Sequence, residues 1–341
     1  MSATALPRPP RLPRPIDPFA GSRDGRYEDD AVVVIRRDPL PRRTPSGEDF
    51  TTVTRHFALG RDGTRLLLVH ALPTRDVDND VAVMLAGELF APGWAGGPDM
   101  FERLMTGVVL SCHDDALAAW QGFYRATLDR LAVLCDDDRP APAPRPGLPA
   151  EGALAGFAPV YRRAEDLVDD ATTRTLLDLG TCFGFFPLRL AARGAGLSVR
   201  AADISPGTGA LLARISARFG AAVPVLVCDA ACVPLPDGDV DTITLLHVLE
   251  HVDAPHGERI LGEAVRLARR RVIVAVPLED EPDPAFGHVR AVSLDDLAGW
   301  GAALAARGPW HARVEEHHGG WLVLDRLLPV TRRRGPAHPV R

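Results

Sequence analysis

The stretch Leu177-Asp178-Leu179-Gly180-Thr181-Cys182-Phe183-Gly184 constrains this chain most. Thr175 to Leu179 is a short apolar run of strand type. It breaks into a glycine-containing turn, and Phe185 to Arg193 then follows a helical pattern. A strand, a tight turn and a helix at this spacing form the first unit of a nucleotide-binding α/β sheet. Glycine serves there because the backbone must take positive φ or come close to a ligand. Many unrelated α/β proteins carry this unit, so the later strands give it meaning.

A second apolar strand, Val199 to Ala202, ends in Asp203, 23 positions after Gly180. An acid at that tip can accept both hydroxyls of an adenosine ribose. A third, starting at Val225, ends in Asp229, which can accept a hydrogen bond from an adenine amino group. Pro234-Leu235-Pro236-Asp237-Gly238-Asp239-Val240-Asp241 follows. The next strand, Thr242 to Leu246, opens into His247-Val248-Leu249-Glu250-His251-Val252.

With these motifs in place, the chain resembles the class I S-adenosylmethionine-dependent methyltransferases of the small-molecule branch, from Leu176 to Leu328. The resemblance implies a Rossmann-like α/β fold: a seven-stranded sheet closed by a C-terminal antiparallel hairpin, with S-adenosyl-L-methionine as cofactor. It places Gly180, Thr181, Cys182 and Gly184 along the methionine and ribose portions, and Asp178 near the ammonium group. Asp203 and Ile204 fall at the ribose, Asp229 and Ala230 at the adenine, and His247 beside the methionine end. Cys182 stands where the family carries a middle glycine, which suggests a slightly altered methionine pocket. The first motif and the long N-terminal extension are similar to the mycofactocin oligosaccharide methyltransferases. That similarity implies O-methylation of a sugar hydroxyl.

A nicotinamide-dependent Rossmann protein is the main rival. Its fingerprint needs a third glycine just beyond Gly184 for close helix–strand packing, where this chain has Phe185 and Phe186. Trp310 to Glu316 and Trp321 to Leu328, separated by His317-His318-Gly319-Gly320, predict the closing hairpin that such proteins usually lack.

The candidate bases remain open. His has an unperturbed pKa suited to proton removal near neutrality, and His247, His251 and His288 are the candidates, the latter two foremost. Glu250 is a third, as base or as an orienter of a histidine. Each acid also has a structural alternative: a strand-end turn for Asp178, a helix N-cap for Asp203, a solvated turn for Asp229. No metal site is expected. Glu250, His251 and Asp253 could offer ligands, but nothing distant in sequence completes a set.

Composition narrows the partners. The net charge is −6 and all cationic residues are Arg. The acidic balance lowers the prospect of a nucleic-acid partner, and no Asn-Pro-Pro-Tyr-type amino-methylation motif follows the fourth strand. A small-molecule acceptor is expected, with the oligomeric state left open. Five cysteines without a CxxC pair suggest reduced thiols. With no apolar run of membrane-span length and no signal-peptide core, cytoplasmic residence is expected.

The expected organisation is a Pro/Arg-rich lead over 1–30, disordered or packed as an arm, and an α+β region over 31–136 that shapes the acceptor site. A Pro-rich linker over 137–152, the methyltransferase domain over 153–330 and a tail over 331–341 complete it. Three strands near Ala31–Arg36, Phe50–Phe57 and Thr64–His70 suggest a small antiparallel sheet. Trp120 and Tyr124 fit a helix's apolar stripe, whereas Trp94, in a glycine-flanked loop, suits an acceptor contact. Two other functions stay open: methylation of a quinone, polyketide or other hydrophobic metabolite, and a non-catalytic cofactor-binding partner.

Overall fold

The computed structural model describes residues 15–136, 153–169, 172–194, 196–221, 223–284 and 286–327. The expected linker and the 331–341 tail lie outside them. Five strands make a first sheet: β1 (Arg26–Glu28), β2 (Val32–Arg36), β3 (Thr52–Val53), β4 (Phe57–Asp62) and β5 (Arg65–His70). Helices α1 (Asp80–Leu85), α2 (Pro98–Leu110), α3 (Ala116–Leu134) and α4 (Ala153–Val168) follow. Then come β6 (Thr175–Leu179), α5 (Phe185–Ala192), β7 (Ser198–Asp203), α6 (Pro206–Arg218), β8 (Val225–Val227) and β9 (Val240–Leu246). The last elements are α7 (Ala254–Leu267), β10 (Ala268–Val276), α8 (Leu294–Arg307), β11 (Trp310–Glu316) and β12 (Gly320–Arg326).

The large sheet has seven strands in the order β11-β12-β10-β9-β6-β7-β8. Strands β8, β7, β6, β9 and β10 run parallel. β12 enters antiparallel between β10 and β11, as the hairpin pattern predicts. The order reverses at β6, and in such sheets ligands bind at the carboxyl ends of the strands beside that reversal. The opposite end is tied by Asp241, whose carboxylate accepts from the N–H of Arg174 (2.9 Å) and of Thr175 (3.0 Å) and from Arg269 Nε (3.0 Å). Helix α8 is started by a capping box: Asp296 N–H donates to Ser293 Oγ, and the Asp296 side chain accepts from Ser293 N–H.

The first sheet runs β1-β2-β5-β4-β3. It is mixed rather than antiparallel, because β2 pairs parallel with β5. Turn signals specify neither which strands pair nor their bounds: the strand expected over Phe50–Phe57 is instead β3, a turn closed by Thr54 N–H donating to Phe57 O, and β4 beginning at Phe57. Its alternation is plain: Val32, Val34, Leu59 and Leu68 face the main core, while Val33, Ala58, Leu67 and Val69 form a smaller cluster on the other face. The lead is a packed arm from residue 15 onward. Tyr27 is buried within β1, the Trp120 indole donates to Pro18 O (2.7 Å), and the Arg214 guanidinium lies 4.0 Å from the Phe19 ring centroid. Tertiary contacts thus order a stretch whose proline content disfavours a regular element.

One hydrophobic cluster runs from this first sheet through α2 and α3 into α5 and α6. Trp120, Phe123 and Tyr124 of α3 are fully buried and meet Phe183 and Phe185 edge-on or tilted, with ring centroids 5.3–6.2 Å apart. Trp120 and Tyr124 therefore serve the core, and Trp94 is exposed.

Gly107 sets how closely α2 approaches β2, since a Cβ there would lie 2.3 Å from Val34 Cγ2. Gly107→Ala is expected to cost about 1–3 kcal/mol of stability through overpacking. Urea denaturation checks this, and an unchanged midpoint would show that the helix can shift freely.

Candidate active site

The turn between β6 and α5 is built from left-handed backbone. φ is +70° at Gly180, +50° at Cys182 and +73° at Gly184. A Cβ on Gly180 would stand 2.6 Å from Val248 Cγ2, and one on Gly184 would stand 2.4 Å from Leu212 Cδ2. The turn is therefore clamped between the 247–251 segment and α6, and only glycine fits at its two ends. Cys182 holds its left-handed φ at a cost of about 1 kcal/mol. The Gly180 and Thr181 N–H groups both donate to Ala202 O, at 2.9 and 3.0 Å, which draws the turn onto the end of β7.

The acids of the motifs sit in three different environments. Asp178 is buried near the end of β6 and accepts from Thr244 Oγ1 at 2.6 Å. Burial pushes its carboxyl up to about 6, against the pull of that hydroxyl, and Asp203 adds to the rise. Asp203, at the tip of β7, accepts from Cys182 N–H (2.8 Å) on one oxygen and Ser205 N–H (2.9 Å) on the other. A carboxylate has about four acceptor positions, so lone pairs remain on both oxygens. The helix N-cap is Ser205, which accepts from Thr208 N–H, and not Asp203. Asp229 is more open. The Ala231 N–H (2.8 Å) and the His256 ring (Nε2, 2.9 Å) hold its carboxyl below the ordinary range. Ile204 and Val227 project exposed apolar side chains at the ends of β7 and β8.

Beyond β9 the chain turns sharply at His247, with φ +57°. Leu249–His251 is a single 3-10 turn, and Glu250 is buried while His251 is exposed. His251 Nδ1 lies 3.3 Å from Gly287 O, and its ring meets that of His288 edge-on at 4.9 Å. Desolvation lowers the His251 pKa, and His288 lowers it further against the pull of Glu250. His288 Nδ1 lies 2.8 Å from Glu279 Oε2. Glu250, His251 and His288 thus converge from two segments 37 residues apart.

Several neighbours carry no sequence motif. Phe157 of α4 meets the His247 ring at 5.4 Å. Glu102 of α2 feels the charge of Asp203: shielding by surrounding protein, then the charges of Asp99 and Asp203, raise its carboxyl pKa. Phe101 of α2 meets Phe286 at 6.1 Å. Helical periodicity places these residues on helices but does not reveal what the helices cover. His256 is adjacent to a visible cap, Asp253, yet only the fold shows that its ring points at Asp229.

Residues 177–276 match the family model of a methyltransferase domain. Over that stretch the chain is similar to methyltransferase domains. Its fold and motifs imply S-adenosyl-L-methionine as the cofactor. A demethylmenaquinone methyltransferase from Thermus thermophilus is 34% identical over 132 residues, covering 38% of this chain and 59% of that protein. The chain thus spans under two thirds of that relative. Among solved structures, a SAM-dependent methyltransferase from Aquifex aeolicus is 22% identical, with a TM-score of 0.40 over 49% of this chain and 89% of that one. A SAM-dependent methyltransferase from Methanosarcina mazei is 16% identical, with a TM-score of 0.41 over 49% and 98%. No helix among the described residues is long and apolar enough to cross a membrane.

The methyltransferase-domain site suits that cofactor physically. An acid with spare lone pairs lies beside the left-handed turn, whose Cys182 is exposed, and two exposed apolar side chains flank the adjoining strand ends. The buried Asp178 also gives a signed pH effect. Its folded pKa of about 6 lies above the ordinary value of 3.8, so the folded state loses stability as pH rises between these values, by up to about 3 kcal/mol. Asp178→Asn keeps an acceptor for Thr244. It is expected to raise the thermal midpoint at pH 8 and to leave it nearly unchanged at pH 4. An equal gain at both pH values would refute ionisation as the cause.

Proposed function

We propose that this protein transfers a methyl group from S-adenosylmethionine to a hydroxyl of a small-molecule acceptor. A sugar hydroxyl on a glycan such as the mycofactocin oligosaccharide is the first acceptor class. The observation that carries this reading is the contact between the glycine turn and the 247–251 segment, which sets the cofactor-type acids next to Glu250, His251 and His288. When bound, the cofactor supplies an electrophilic sulfonium methyl.

In this reading Asp203 accepts the ribose hydroxyls on its free lone pairs. Asp229, oriented by His256, accepts from the adenine amino group, with the Ala230 backbone and the exposed Ile204 and Val227 against the ring. Asp178 faces the ammonium end, and His247 closes that end with Phe157. Glu250, His251 and His288 line the place where the acceptor hydroxyl must lose its proton. Holding the two reactants in line supplies several kcal/mol of the barrier lowering. Phe101 and Phe286 bring α2 and the loop after β10 together above the acceptor, which gives the N-terminal region its role as a cap.

A second reading follows from the named relative, a demethylmenaquinone methyltransferase. Leu278, Phe286 and Val289 are exposed apolar side chains on the loop after β10, and they suit a quinone-like acceptor. Mass spectrometry of products from a glycosylated acceptor and from a naphthoquinol, each with labelled cofactor, separates the two readings.

Calorimetry is expected to show S-adenosylmethionine binding and no NAD⁺ binding. Asp203→Ala should weaken the former by at least about tenfold, or 1.4 kcal/mol. Undiminished affinity in that variant would remove Asp203 from the ribose, and binding of NAD⁺ alone would overturn the function.

A further inference from the structure

Glu250 presents an unusual electrostatic situation. It is 1% exposed, and neither carboxylate oxygen has a hydrogen-bond partner among the described residues. Its nearest titratable neighbour is His247, whose Nδ1 stands 3.3 Å from Oε1 without hydrogen-bond geometry. A buried unpaired carboxylate is costly unless something cationic completes it. The Arg290 guanidinium adds a favourable charge interaction but makes no hydrogen bond to that carboxylate: its Nε donates to Leu249 O (2.9 Å), and it lies over the Trp300 ring.

From this geometry we infer that Glu250, His251 and His288 form a divalent transition-metal site, with His247 at its margin. One ligand atom from each of the three lies within 4.8 Å of the others. Ligands bound at about 2.1 Å in a tetrahedral set stand about 3.4 Å apart, so side-chain rotation has to draw the three atoms together by up to about 1.4 Å. The outer contacts are those a metal-bound imidazole needs. His288 Nδ1 faces the Glu279 carboxylate and His251 Nδ1 faces the Gly287 carbonyl, so each can donate there and keep its Nε2 lone pair for the ion. Two imidazoles and one carboxylate favour Mn²⁺, Fe²⁺, Co²⁺ or Zn²⁺ over Mg²⁺, which prefers oxygen ligands and water. The set differs from Glu250, His251 and Asp253, the trio visible in sequence. The Asp253 carboxylate instead caps α7, accepting from His256 N–H at 2.8 Å.

The role of the ion rests on the proposed methyl transfer. Bound to the acceptor oxygen, it lowers the pKa of the hydroxyl, whose proton passes to water. The oxygen lone pair forms the new O–C bond as the C–S pair returns to sulfur.

The test uses the tag-free full chain stripped with chelator and titrated with Co²⁺, read by visible d–d absorption, with S-adenosylmethionine calorimetry on the same sample. One Co²⁺ per chain is expected. Glu250→Gln and His288→Ala should each weaken binding by more than tenfold, and Glu279→Gln by about tenfold, all with unchanged circular dichroism. Absence of a stoichiometric cobalt spectrum in the wild type, or equal cobalt affinity in folded Glu250→Gln and His288→Ala, would overturn the site. Cofactor binding without the cobalt spectrum removes the metal and leaves the methyl-transfer reading. The cobalt spectrum without cofactor binding keeps the metal site and removes that reading.

Discussion

The left-handed turn from β6 into α5 is the constraint on which the carboxyl edge of the large sheet depends. Positive φ at Gly180, Cys182 and Gly184 bends the chain tightly enough for two successive N–H groups to reach Ala202 O. That pairing fixes the turn against β7 and so sets Asp203 within reach of Cys182 N–H. On its other side the turn touches Val248, which brings the segment leaving β9 alongside. The three regions that carry the candidate chemistry are thus positioned by one bend. A side chain at either glycine would separate them.

The bend is supported from behind by aromatic packing. Phe183 lies within the turn and Phe185 begins the helix after it. Both pack into rings from α3, an element of the N-terminal region. The shared cluster means that the first sheet and the large sheet stabilise one another. It also means that the shape of the cleft depends on residues far from any motif. Helices α2 and α4 both reach the segments that carry the candidate residues, α2 through the Phe101 contact with Phe286 and α4 through the Phe157 contact with His247. An appended region joined this way can restrict access to the site without contributing to the motifs.

Environment, rather than residue type, differentiates the acids. Asp178 and Glu250 are both buried, yet Asp178 has the Thr244 hydroxyl, whereas Glu250 has no hydrogen-bond donor among the described residues. Asp203 is saturated by backbone donors on one lone pair of each oxygen. Asp229 is half-buried and paired with an imidazole. Four carboxylates around one cleft thus have different demands, and the unmet demand at Glu250 is what singles out its surroundings.

Most of the α/β core was legible because its signals are local. Strand periodicity, glycine at a tight turn and an acid at a strand end are properties of neighbouring residues. They identified β6, β7, β9 and the closing hairpin, and Asp178, Asp203 and Asp229 fall at the strand ends where the motifs put them. The parallel pairing of β2 with β5 was not legible, nor was the ordering of residues 15–30, because both depend on partners distant in the chain. The same holds for the meeting of Glu250 and His251 with His288, and of Asp229 with His256. Each joins residues on separate elements, and their separation in space depends on helix packing angles and loop paths. Local chemistry chose the elements and the candidate residues; long-range packing chose which of those residues share a site.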